Sequence, residues 1–157
     1  MSYYNKITKT AGDYDVNYIV ESICYFQKEL DDARTEIKIV GNIQRNCSTI
    51  PGIVEYRFAQ LQEIKSIIEY LKIILDKVKG TTFKKYNENY NKDLSSKDID
   101  KYVLAESEVQ DLAIIINDFS FLENRYIGIL KGLDCKQFQL TNIVKLKIAG
   151  MDEFEII

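Results

Sequence analysis

Two rows of apolar residues set the first constraint on this chain. Val16, Ile23, Leu30 and Ile37 recur at every seventh position, and Ile19, Phe26, Ala33 and Val40 form a second row offset by three. These are the a and d positions of a heptad repeat, and they make a helical stripe that another helix must cover. The pattern predicts an N-terminal heptad helix within residues 1–47, capped by Asp13 or Asp15 and loosened near Gly41.

A second helix is expected over 51–80. Pro51 suits its first position, where the missing N–H costs nothing. Val54, Leu61, Ile68 and Leu75 form one row at seven-residue spacing, and Ile64, Leu71 and Val78 form another, with Arg57 in register. Ile53, Ile67 and Ile74 widen the stripe until one neighbour is too narrow to bury it. Gly80 is the expected stop.

Residues 81–104 read as a basic, aromatic connector with short helices, one starting at Thr81 or Thr82 and one opened by Ser95-Ser96. Residues 105–157 read as a C-terminal helical pair. Val109, Leu112, Ile116, Phe119, Leu122, Tyr126 and Ile129 step by three and four up to Gly132. Asp134 would cap a last helix through Ile148, ended by Gly150. Alternation in QFQLTNIVKLKI leaves a strand there as the minor alternative.

The expected fold is a single all-α domain over 1–157, built from long amphipathic helices. With 157 residues, one proline and seven glycines, the chain has few breakers and room for one core. The wide second stripe favours a homo-oligomer that hides it; the alternative is an intramolecular bundle complete as a monomer.

Composition removes several functions. The chain has no histidine, which excludes Ser–His and Cys–His nucleophilic sites and any zinc site that includes histidine. Neither GxGxxG nor GxxxxGK[ST] occurs. A non-enzymatic protein with no cofactor and no metal site is expected. Cys24, Cys47 and Cys135 form no CxxC pair, and their odd number suits a reducing compartment, with small buried side chains as the expectation. No apolar run reaches membrane-spanning length, and the N-terminus lacks a signal-peptide core, so a cytoplasmic protein without membrane contact is expected.

Charge is uneven along the chain. The net charge is −3, yet residues 72–92 hold Lys72, Lys77, Lys79, Lys84, Lys85 and Lys92 against Asp76 and Glu88. Phe83, Tyr86 and Tyr90 lie among these lysines. Lysines meet phosphates and release counterions, while aromatic faces stack unpaired bases. The candidate nucleic-acid-binding residues are therefore Lys72, Lys77, Lys79, Lys84, Lys85, Tyr86, Tyr90 and Lys92; a solvated connector is the plainer reading. A smaller basic spot gathers Lys131, Lys136, Lys145 and Lys147. Acidic stretches at Glu106–Glu123 and Asp152–Glu155 suit a basic protein partner or a neighbouring subunit.

The order of these features resembles the recombination mediator proteins of T4-type bacteriophages, the UvsY family. Ile50, Pro51 and Tyr56 open a long basic helix that ends in a lysine-rich turn at Lys77–Gly80. Tyr102-Val103-Leu104-Ala105-Glu106 stands where the family shows Tyr-Leu-x-Ala-Asp. Phe138-Gln139-Leu140-Thr141-Asn142 and Gly150 match its late Phe-x-Ile-Lys-Asn and terminal glycine in part. The likeness covers roughly residues 47–154; Lys77-Val78-Lys79 replaces a Tyr-Tyr, Thr141 replaces a lysine, and the N-terminal heptad helix is an addition.

The resemblance implies a helical ring oligomer that binds single-stranded DNA in the host cytoplasm. It implies contacts with the phage recombinase and the single-strand-binding protein, and a role in loading the first in place of the second. Lys72, Lys77 and Lys79 are the DNA candidates it carries over. The competing reading is a coiled-coil structural or adaptor protein with protein partners only.

Overall fold

The computed structural model describes residues 2–9, 14–89 and 95–151. Among them lie five helices and no strand: α1 (Tyr3–Ile7), α2 (Val16–Glu36), α3 (Ile43–Asn89), α4 (Ser96–Ala105) and α5 (Ser107–Ile148). The fold is all-α, and QFQLTNIVKLKI is helical rather than strand. Tyr90 and Lys92 lie outside the described residues, as do Asp13 and the acidic tail.

The chain forms two compact units, Met1–Ile23 with Glu63–Phe121, and Cys24–Gln62 with Leu122–Ile157. In the first, Ile7, Ile19, Ile64, Leu71, Leu112 and Phe119 are buried. Tyr3–Ile7 was not visible as a helix in the sequence. Glu63 fixes its start, because Oε1 accepts from the Ser2 hydroxyl at 2.7 Å and from the Tyr4 N–H at 3.0 Å. In the second unit, Phe26, Leu30, Ala33, Leu122, Tyr126 and Leu133 are buried. The Tyr126 ring meets Phe26 edge-on at 6.1 Å, and its hydroxyl donates to the Phe26 carbonyl at 3.2 Å.

The wide second stripe is used inside the chain. Leu61, Ile64, Ile67, Ile68, Leu71 and Ile74 are all buried. The N-terminal heptad helix is shorter than expected: α2 ends at Glu36, and Val40, the last residue of the second row, lies past it, 73 % exposed. Asp15 caps α2 by accepting from the Asn17 N–H at 2.9 Å.

Three expected breaks are absent. The second long helix begins at Ile43, capped by Asn42, whose Oδ1 accepts from the Arg45 N–H at 3.2 Å. Pro51 is therefore interior, where it removes one donor from the helix ladder. Gly80 does not stop α3, because Leu75, Val78, Phe83 and Tyr86 pack on a buried cluster of Ile99, Val103 and Val109. That burial outweighs the ~1 kcal/mol a helical glycine costs. Thr81 starts no new helix; its hydroxyl donates back to the Lys77 and Val78 carbonyls at 3.2 and 2.9 Å.

Gly132 does not end α5, so the expected C-terminal pair is one helix to Ile148. A Cβ there would lie 2.9 Å from Ile37 Cδ1, so this glycine serves close packing. Gly150 does end it. Its φ is +76°, its N–H donates to the Lys147 carbonyl at 3.1 Å, and the Met151 N–H donates to Leu146 at 3.1 Å. This is the Schellman pattern of a helix C-terminus. The short helix at 96–105 forms as expected. Ser95 caps it, with its oxygen 3.4 Å from the Asp98 N–H, and its hydroxyl donates to Asp98 Oδ2 at 2.7 Å.

The cysteines differ from expectation: Cys24, Cys47 and Cys135 are all exposed. Among the described residues, no helix is long and apolar enough to cross a membrane.

Candidate nucleic-acid interface

Residues 81–89 of the expected connector belong instead to the C-terminal part of α3, which is helical through Asn89. A helix turns about 100° per residue, so its lysines do not share one face. Lys77 and Lys84, seven apart, lie on one side, Lys72 and Lys79 lie on another, and Lys85 falls between them. Lys72, Lys77, Lys84 and Lys85 are exposed and Lys79 is half-buried.

Carboxylates stand near several of them. Lys72 meets Glu69 at 2.8 Å, Lys84 meets Glu88 at 3.7 Å and Lys85 meets Glu106 at 3.8 Å. Exposed pairs of this kind contribute little to stability, so each lysine can exchange its carboxylate for a phosphate at small cost.

Tyr86 has a different situation. Its hydroxyl donates to Glu106 Oε1 at 2.8 Å, and its ring stacks on Tyr102 with centroids 5.6 Å apart and planes at 29°. The other edge packs on the Ile99–Val103–Val109 cluster. This tyrosine positions α3 against α4, and Tyr102 already occupies one face of its ring.

The second basic spot also separates. Lys131, Lys145 and Lys147 are exposed, but Lys136 is 5 % exposed and donates to the Glu36 carbonyl at 2.7 Å. Burial holds its ammonium below the usual lysine range, against the pull of Glu36.

Arg57 shows why a basic residue in a heptad register need not be a ligand site. It is 2 % exposed and donates through Nε and Nη2 to the two oxygens of Glu36, at 2.8 and 2.6 Å. Nη1 donates to Glu29 Oε2 at 2.8 Å and to Gln60 Oε1 at 2.9 Å. Burial works against the Glu29 carboxylate, but hydrogen bonds from Gln60, Arg57 and Tyr56 outweigh it and leave its pKa below the ordinary value. Every hydrogen-bonding atom of the Arg57 guanidinium group faces a partner that spacing alone did not reveal. Two acids on α2, Glu29 and Glu36, seven apart, were the only sequence sign of it.

Among the described residues, no three Cys, Asp or Glu side chains converge to hold a metal ion. No family model matches the chain, and no match was found among curated proteins or solved structures.

Proposed function

We propose that this protein binds single-stranded DNA through the basic C-terminal part of α3 and acts, without catalysis, as a recombination mediator. The observation that carries the reading is the exposure of Lys72, Lys77, Lys84 and Lys85 along one continuous helix. Their placement on several faces suits a strand that wraps or crosses the helix. It does not suit a flat duplex edge. The mediator role follows from the resemblance to the phage family.

Self-association belongs to the same reading. Ile114 and Phe121, seven apart on α5, are 59 % and 61 % exposed. Such a row on an outward face suits a copy of the chain, and an assembly multiplies a weak lysine site through effective concentration. The same row supports the second reading, an adaptor that contacts only proteins.

The deciding experiment is fluorescence anisotropy of a labelled oligo-dT at low and moderate salt, on protein sized by light scattering. Binding by an oligomer that weakens steeply with salt supports the mediator reading. A folded protein that ignores the oligonucleotide at low salt leaves the adaptor.

A further inference from the structure

Beside the proposed DNA-binding lysines, α3 and α4 form a groove of about 360 Å³ lined by Lys79, Gly80, Phe83, Asp100, Val103 and Leu104. We propose that this groove receives one unpaired base of the bound strand and favours bases that carry an amino group. The inference rests on the single-strand reading above and deepens it.

The floor is apolar and fixed. Val103 is buried, and Phe83 packs on the cluster that Val103 forms with Ile99 and Val109. A base entering beside Phe83 meets an aromatic surface that is already held in place, so little side-chain freedom is lost on binding. The volume lies at the small end of the ~300–1,000 Å³ range of ligand clefts.

One position is left open by the sequence itself. Gly80 lines the groove, and a Cβ there would meet nothing within 4 Å, so a larger side chain has open space to occupy at the groove edge.

The charges are divided between the two helices. Lys79 stands on α3 and Asp100 on α4, both lining the groove. Lysine supplies a cation for the strand's phosphate. A carboxylate only accepts hydrogen bonds, so it pairs with the exocyclic amino group of cytosine, adenine or guanine. Thymine lacks an exocyclic amino group, and its single N3–H donor is flanked by two carbonyl oxygens that repel the carboxylate, so it is disfavoured.

The test compares oligo-dC and oligo-dT of equal length by anisotropy at low salt. The proteins are wild type, Asp100→Asn and Gly80→Leu, with helicity checked by circular dichroism. Wild type is expected to bind oligo-dC about fivefold more tightly, as one added hydrogen bond allows. Asp100→Asn, whose amide also donates, should abolish or reverse the preference. Gly80→Leu should fill the groove and erase the preference with helicity intact. Equal affinity of wild type for both strands, or a preference that survives Gly80→Leu, overturns the base groove and leaves salt-dependent DNA binding standing. If neither strand binds, the single-strand reading falls and the groove assignment with it.

Discussion

Arg57 grips Glu36 with both ends of a planar fork, Nε to Oε2 at 2.8 Å and Nη2 to Oε1 at 2.6 Å. Because the guanidinium group is buried, removing one partner leaves the other in a poor solvent. Arg57→Ala should destabilise the protein by about 3–5 kcal/mol in urea unfolding, whereas Arg57→Met, which refills the volume, should cost less. Equal losses would mean that the lost charge, rather than the lost volume, decides this site.

The same cluster sets an acid dependence. Glu29 has a folded pKa below its unfolded value, so it is stabilising when ionised. That contribution is complete above the unfolded carboxylate value, about 4.3, and is lost as pH falls through the lower folded value. Unfolding free energies measured from neutral pH down to about pH 3 should therefore fall more steeply in the wild type than in Glu29→Gln.

The glycines should separate by sign. Gly128→Ala should stabilise by about 0.5–1 kcal/mol, since its Cβ meets nothing within 4 Å on α5. Gly132→Ala, four residues on, should destabilise, because Ile37 Cγ1, Cγ2 and Cδ1 all lie within 3.2 Å of the new atom. Pairing it with Ile37→Val removes the nearest of those atoms and should recover part of the loss. Gly150→Ala should destabilise by roughly 1 kcal/mol through its positive φ. Thermal melts of the set give the test.

Pro51 is a second stability handle. It stands eight residues past the start of α3, exposed, with no N–H to give. Pro51→Ala restores that donor and should stabilise by about 1–3 kcal/mol, raising the melting temperature. A first-turn proline would show no such gain.

For the DNA reading, Lys77→Ala with Lys84→Ala should weaken oligo-dT binding and lower the magnitude of the salt slope by about 0.7 per lost phosphate contact. Helicity should not change, since both side chains are exposed. A slope unaltered by the pair would place any DNA contact elsewhere.

Much of the fold was legible because heptad rows report burial directly. Ile19, Phe26, Leu61, Ile68, Leu71, Val109 and Leu112 are all in the core their spacing assigned. The errors came from reading breakers locally. Gly80, Gly132 and Gly150 look alike in sequence, yet only Gly150 takes a positive φ. The first two stay helical because apolar residues beyond them, such as Phe83 and Leu133, still have a core to reach. The basic segment was legible as charge but not as geometry, since its lysines divide among helix faces. Tyr86 was legible as an aromatic, but its partner Tyr102 lies sixteen residues on, past any local pattern.

The second unit also has a consequence for synthesis on the ribosome. Phe26 and Tyr126 meet across a sequence separation of 100, and so do Glu36 and Lys136. At about 5–20 residues per second, translation needs roughly 5–20 s to deliver the later partner. During that interval the apolar face around Phe26 has no α5 to cover it. The emerging chain must be protected there until its last helix arrives.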